Sequence, residues 1–168
     1  MRTVPNMAIF DVGDATDIEG VLDLVYEWNG PAYIRMLRKE VPRLFPANEP
    51  MVFNRARTIT EGDDVLILSS SICTEEAMRA TAALEDKGVS VQHMHVSTLK
   101  PFTDPTIVEA LKKCKYGVAT MENHYNIGGL GSAVADLMAE NGIGKKLIKI
   151  GLNGYAHGAS KMYLMTKY

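Results

Sequence analysis

Apolar and polar residues in the second half of the chain alternate in blocks that predict strands separated by helices. Short apolar runs predict strands at about residues 65–69, 89–96, 116–121 and 146–151, and a further strand or hairpin arm at 52–60. Apolar residues at three- and four-residue steps predict helices at about residues 74–86, 104–113 and 132–140. This alternation is typical of an α/β fold, with a mostly parallel sheet that carries helices on both faces.

The start of the chain predicts a strand, a helix and a second strand. The apolar run Met7–Phe10 precedes Asp14, a good helix N-cap with a second acid three residues later. Helical spacing continues until a Gly-Pro pair at 30–31, and residues 32–37 predict the second strand. Such a βαβ unit requires a parallel sheet, and one unit of this size buries too little apolar surface to fold alone. We therefore expect a partial α/β domain whose other strands lie outside this chain.

A proline-containing segment separates the two regions. Residues 38–50 include Pro42, Pro46 and Pro50 and show no apolar periodicity, so they predict a linker between domains. The boundary is expected near residue 48, which divides the chain into an incomplete domain at 1–48 and a complete domain at 49–168.

Composition excludes several classes of function. A net charge of -2 argues against nucleic acid or an anionic membrane as the main partner. Cys73 and Cys114 are too few for a disulfide framework, which favours a reducing cytoplasm, and Cys73 is expected to be a small buried thiol. No apolar run approaches the roughly 20 residues of a membrane span.

Glycines cluster in ENHYNIGGLGSA, between a predicted strand and a predicted helix. The spacing lacks the third glycine of a dinucleotide fingerprint, so the favoured interpretation is close packing of helix against strand, with Ser132 as a possible cap. Acidic and histidine side chains at the carboxyl end of a strand also lie where α/β sheets bind ligands, which leaves a binding role open beside an interface role. The residues of this possible interface or ligand turn are Glu122, His124, Gly128, Gly129 and Gly131.

Basic residues follow the second predicted strand. Arg35, Arg38, Lys39 and Arg43 lie close together in the sequence, and the forked guanidinium of arginine matches phosphate or carboxylate groups. Pairing of these cations with acids on a partner domain is an equally open alternative.

Histidines and serines elsewhere in the chain predict no catalytic centre. His93 and His95 point to one face of a strand, but two histidines without a third ligand are more often packed than metal-bound. The run 69–71 contains three serines without a Gly-x-Ser-x-Gly elbow, which argues against a hydrolase.

Four segments, in this order and at this spacing, resemble the last part of a transketolase or a close thiamine-diphosphate enzyme. They are MRTVPNMAIFDVGDATDIEGVL, GPAYIRMLRKEVPRL, STLKPFT and ENHYNIGGLGSAVADLM. The resemblance implies that residues 1 to about 40 end a pyrimidine-binding domain and that residues from about 50 form the family's C-terminal domain. With Pro42 as the aligned position, it implies that Arg38 binds the phosphate of the sugar substrate. Arg35 is similar to an arginine position of deoxyxylulose-phosphate synthases and is a second candidate.

The resemblance also implies that most of the catalytic machinery lies elsewhere. The glutamate that activates thiamine diphosphate and the domain that holds magnesium and diphosphate would precede this region or belong to another chain. The intact enzyme is expected to use thiamine diphosphate and Mg, to form a homodimer and to act on sugar phosphates, whereas this chain alone is expected to bind neither cofactor. Alternatives are an assembly or docking module of a deoxyxylulose-phosphate synthase or a 2-oxoacid dehydrogenase E1 β subunit, and a free-standing nucleotide or anion binder.

Overall fold

A computed structural model describes residues 1–38 and 40–167. Its strands are β1 (Ala8–Asp11), β2 (Ala32–Arg35), β3 (Arg57–Thr60), β4 (Val65–Ser69), β5 (Val91–His95), β6 (Thr98–Lys100), β7 (Gly117–Tyr125) and β8 (Leu147–Leu152). Its helices are α1 (Ala15–Glu27), α2 (Cys73–Glu85), α3 (Pro105–Lys113), α4 (Leu130–Glu140) and α5 (Lys161–Lys167). Within these residues no helix is long and apolar enough to cross a membrane.

The larger sheet has the strand order β3-β5-β4-β7-β8. Strand β4 pairs in parallel with both β5 and β7, and β7 pairs in parallel with β8. Only β3, at one edge of this described sheet, runs antiparallel to its neighbour. The predicted mostly parallel sheet is therefore confirmed.

Helices cover both faces of this sheet because alternate residues of its strands are buried on opposite sides. On one face Ile67 and Val91 pack with Ala77 of α2. The other face forms the largest apolar core, built from the strands and from α3 and α4, and its members include Leu66, Leu68, Met94, Val118, Ile107, Leu111, Leu130 and Val134. Each such side chain, once fully buried, contributes about 1.5–3 kcal/mol.

The predicted βαβ unit at the start of the chain is confirmed, and a strand from the second region extends its sheet. Strands β1 and β2 are parallel, in a register that pairs Ala8 with Ala32. Strand β6 pairs antiparallel with β1 on its other side, which gives the order β2-β1-β6. The sequence did not predict β6, because three residues are too few to show the alternation of apolar and polar residues that marks a strand. This strand is defined by its pairing with β1.

Asp14 caps α1 as predicted and also anchors the linker. One of its carboxylate oxygens accepts from the Asp17 N–H at 3.0 Å, and the other accepts from the N–H groups of Leu44 and Phe45 at 2.7 and 2.9 Å. The Thr16 hydroxyl donates to the Phe45 carbonyl at 2.9 Å. The middle of the proline-containing segment is thus fastened to the first turn of α1.

Two boundaries near the glycine-rich turn differ from the predictions. Strand β7 continues to Tyr125, so Glu122 and His124 lie within the strand and not beyond it. Helix α4 begins at Leu130, two residues before the predicted start, and Ser132 is not its cap. The sequence indicated neither this early start nor α5.

Candidate functional site

The carboxyl ends of β1, β2 and β7 meet around a cleft of about 210 Å³. Its polar lining comes from the two sheets, and part of the glycine-rich turn also lines it; members include Asp11, Tyr33, Arg35, His124, Gly128 and Gly129. Arg35 and part of the glycine-rich turn, which were separate candidates in the sequence, therefore face the same space.

Arg35 forms an ion pair with a buried acid at the edge of this cleft. Its guanidinium lies 3.3 Å from Asp11 Oδ2, and the Ser70 hydroxyl donates to the same oxygen at 2.7 Å. Burial raises the pKa of Asp11, while Arg35 and Ser70 act in the opposite direction. A quarter of the Arg35 side chain remains exposed, at 25%. Arg35 is thus held in place by a neighbour and still faces the cleft.

Arg38 lies in the segment after β2 and is exposed. Among the described residues it has no hydrogen bond and no ion pair. Arg43, in contrast, donates to Glu19 at 2.8 Å and to Thr16 at 2.8 Å, and Lys39 lies outside the described residues. Of the three arginines that follow one another at positions 35, 38 and 43, Arg38 is therefore the one without an ion pair among the described residues.

Glu122 caps helix α4 from within strand β7. Its carboxylate accepts from the N–H groups of Leu130 and Gly131 at 2.7 and 2.8 Å, and only 1% of the side chain is exposed. A negative charge at a helix N-terminus is stabilised by the helix dipole. A Cβ on Gly129 would lie 1.9 Å from Glu122 Oε2, so the glycine permits this close approach. The favoured packing interpretation explains Gly129, whereas Glu122, and not Ser132, supplies the cap.

The other members of the turn have different surroundings. His124 Nδ1 lies 2.8 Å from the Tyr125 carbonyl and 3.9 Å from Glu122 Oε2, and 41% of its side chain is exposed. Gly128 has a φ of +83°, which favours glycine, and a Cβ on Gly131 would lie 2.8 Å from Thr120 Oγ1. Of this turn, His124 is thus the side chain that is both polar and open to the cleft.

A series of buried hydrogen bonds connects side chains near the start of α2. We call it the His95 network, and its members are Asp17, His95, Thr74, Ser69 and His93. Asp17 Oδ2 lies 2.7 Å from His95 Nε2, and His95 Nδ1 lies 2.7 Å from Thr74 Oγ1. Thr74 is 3.0 Å from Ser69 Oγ, which is 2.7 Å from His93 Nε2. Both histidines are packed, as predicted, but their connection through Thr74 and Ser69 was not predicted.

The His95 network contains an acid, an imidazole and a hydroxyl in sequence, yet its setting is structural. Thr74 and Ser69 are fully buried, and each hydroxyl contacts the other and a histidine, so neither faces a substrate. Burial lowers the pKa of His93 to about 4, which keeps that ring neutral at pH 7. Burial acts to raise the pKa of Asp17, but the hydrogen bond and charge of His95 and the Gly13 N–H lower it. The His95 network is thus a buried polar core whose side chains bond to one another.

Cys73 begins α2, and its surroundings disfavour the thiolate form. Burial and the negative charge of Asp11 raise its pKa to about 12. Its side chain is only half-buried, so the prediction of a buried thiol is wrong in its degree of burial, while the raised pKa agrees with low reactivity.

The described residues do not fit a magnesium-diphosphate site. No group of three or more His, Cys, Asp or Glu side chains comes together among them in a form that could hold a metal.

Residues 54–167 match the family model of the transketolase C-terminal domain. The chain belongs to the transketolase family. It is 34% identical, over its whole length, to a putative transketolase C-terminal section from Methanocaldococcus jannaschii, of which the match covers 52%. It is 33% identical, over 84% of its length, to 44% of a 6-deoxy-6-sulfo-D-fructose transketolase subunit from a Clostridium species.

A solved transketolase structure has the same fold. The whole chain superposes on 55% of a split-gene transketolase described as an inactive β4 tetramer, with a TM-score of 0.94 and 33% identity. The chain thus spans about half the length of these transketolase relatives. The predicted family and fold class are confirmed.

Proposed function

We propose that this chain supplies the C-terminal portion of a thiamine-diphosphate-dependent transketolase that transfers a two-carbon ketol unit between sugar phosphates. Its direct contribution is recognition of the substrate phosphate by Arg38. The observation that carries this proposal is the contrast between Arg38, exposed and unpaired among the described residues, and its neighbour Arg43, engaged by Glu19. Thiamine diphosphate and Mg, which supply the carbon-carbon chemistry, are held by the remainder of the enzyme.

Arg38 suits phosphate because a guanidinium forms two parallel charge-assisted hydrogen bonds with its oxygens. Such bonds contribute about 1.5–3 kcal/mol each. Arg35 is the second candidate, since it faces the cleft, but a phosphate there would compete with or join its ion pair to Asp11. We therefore assign the main contact to Arg38.

The small sheet supports the proposal of a partner portion. Strand β2 lies at its edge with one side unpaired among the described residues, and Tyr33 on this strand is partly exposed. An open edge strand pairs readily with a further strand. We propose that the remaining portion of the transketolase continues this sheet, that the assembled enzyme is a homodimer of the complete unit, and that it works in the cytoplasm.

An Arg38→Ala variant of the assembled enzyme tests the phosphate assignment. We expect the KM for phosphorylated sugars to rise at least about 10-fold, because each of the two lost hydrogen bonds contributes about 1.5–3 kcal/mol, with little change for the unphosphorylated analogue. Arg79→Ala is the matched control, because it removes the same charge from an exposed position on α2. Equal KM values for Arg38→Ala and Arg79→Ala with a phosphorylated sugar would refute the assignment.

A second candidate function is an assembly or docking module of a related thiamine enzyme. Strand β8 is the other edge of the large sheet, and about half of the Ile148 and Ile150 side chains is exposed there. If this face assembles subunits, the isolated chain should self-associate in analytical ultracentrifugation and an Ile150→Lys variant should not. A strictly monomeric wild-type chain at high concentration would count against this candidate.

A further inference from the structure

His95 belongs to the large sheet but contacts the first region of the chain at two points, one on the βαβ unit and one on the linker. Its Nε2 lies 2.7 Å from Asp17 Oδ2 in the first turns of α1. Its ring also packs against Phe45, with 4.9 Å between ring centroids. The guanidinium of Arg57, from β3, covers the Phe45 ring at 4.5 Å. A buried histidine of one region thus holds two separate segments of the other.

One of these two segments ends the stretch that carries Arg38, and the other binds that end. The stretch that carries Arg38 begins at the end of β2, which pairs with β1, and it ends at Leu44 and Phe45. Both of those residues donate N–H groups to Asp14, three residues before Asp17 on the same helix start. Asp14, Asp17 and Phe45 are therefore linked to one another, and His95 joins them to the large sheet.

The hydrogen-bond directions make His95 the specific link. The Asp17 carboxylate can only accept, so His95 Nε2 carries the proton of that contact. With its proton on Nε2, the ring can accept at Nδ1 from the Thr74 hydroxyl, 2.7 Å away. Thr74 in turn accepts from Ser69, and Ser69 accepts from His93 Nε2. Each hydrogen bond of the His95 network orients the next side chain in the series. The series ends at the contact between His95 and Asp17.

We propose that His95 is a positioning residue for phosphate recognition: through Asp17 and Phe45 it holds the segment that presents Arg38. The proposal rests on the proposed function of Arg38. It gives the C-terminal domain a part in the reaction without placing any of its side chains against the reacting atoms.

Two substitutions at His95 separate its two hydrogen bonds. In His95→Gln the side-chain NH₂ reaches the place of Nε2 and can still donate to Asp17. In His95→Asn the amide reaches only the place of Nδ1, so the Thr74 contact can be kept while the Asp17 contact is lost. The matched control is Thr81→Val, since Thr81 is a buried residue of α2 whose hydroxyl has no hydrogen-bond partner among the described residues.

In the assembled enzyme we expect His95→Asn to raise the KM for phosphorylated sugars about tenfold, because small misplacements of a binding group are costly. The kcat and the KM for the unphosphorylated analogue should stay within about twofold of wild type, and His95→Gln should restore most of the loss. Hydrogen exchange at the Leu44 and Phe45 amides should be faster in His95→Asn than in His95→Gln or Thr81→Val.

Three outcomes would overturn the proposal. They are unchanged KM values in His95→Asn, equal losses in His95→Asn and His95→Gln, and a loss that affects both classes of sugar alike. Failure of the proposed function looks different, because the wild-type assembly would then transfer no two-carbon unit. In that case faster exchange at Leu44 and Phe45 in His95→Asn would still support the link, and unchanged exchange would refute it.

Discussion

Replacement of Glu122 by Gln tests whether one buried carboxylate holds the start of α4. The carboxylate accepts two backbone N–H groups at 2.7 and 2.8 Å, and its side chain is almost fully buried. Glutamine keeps the shape but replaces one acceptor oxygen with an NH₂ group, so one donor must face another donor. The loss of one charge-assisted hydrogen bond, together with a buried unpaired donor, should lower the free energy of unfolding by about 2–4 kcal/mol.

Urea unfolding followed by circular dichroism measures this change. With a slope of about 2 kcal/mol/M, the midpoint should fall by about 1–2 M. Glu109→Gln is the control, because it makes the same chemical change at an exposed position of α3 and should alter stability by less than about 0.5 kcal/mol. If Glu122→Gln were as stable as Glu109→Gln, the cap would contribute nothing and the explanation of the glycine-rich turn would be wrong.

Three further predictions concern stability and reactivity. The folded-state pKa of His93, about 4, lies below the ordinary 6.5, so the unfolded chain binds more protons in that window. The free energy of unfolding should therefore fall by about 3 kcal/mol from pH 7 to pH 4 on account of His93. In urea titrations at several pH values, His93→Gln should show a weaker dependence of stability on pH. The same pH dependence in the variant and the wild type would contradict the burial argument. Gly129→Ala should destabilise the chain by about 3 kcal/mol or more, because the new Cβ meets the Glu122 carboxylate. Gly128→Ala has open space around its Cβ and should cost only about 1–2 kcal/mol, because its φ is positive. Similar urea midpoints for the two variants would refute this prediction. Cys73, with a pKa of about 12, should remain unmodified by iodoacetamide at pH 8 in the folded chain and react after unfolding, as read by mass spectrometry; rapid labelling of the folded chain would contradict the prediction.

Local signals in the sequence were enough for the regular elements. Strand β4 matches its predicted limits, since it is a short apolar run bounded by polar residues. Helix α3 begins where Asp104 and Pro105 predict, because the cap and the first-turn proline act within a few residues. Such elements depend on neighbours in the sequence, and the sequence therefore predicts them.

Features that depend on distant residues could not be predicted. Strand β6 is defined by its pairing with β1, some 90 residues earlier. Asp17 and His95 are separated by 78 residues, and neither sequence context indicates a partner. Glu122 and the α4 amides are closer in sequence, but strand β7 had to extend past its apolar run before the carboxylate could reach them. The candidate arginines were found in the sequence, whereas the ion pair that distinguishes Arg35 from Arg38 required the fold.

The most direct test of the central claim is a titration of two-carbon transfer. A complementary portion that carries the thiamine-diphosphate site is held at fixed concentration with cofactor and Mg, and this chain is added in increasing amounts with a ketose phosphate and an aldose phosphate. The account predicts no transfer from this chain by itself, and activity that rises and saturates near one equivalent. Transfer by this chain alone, or none at any ratio with a correctly folded partner portion, would contradict it.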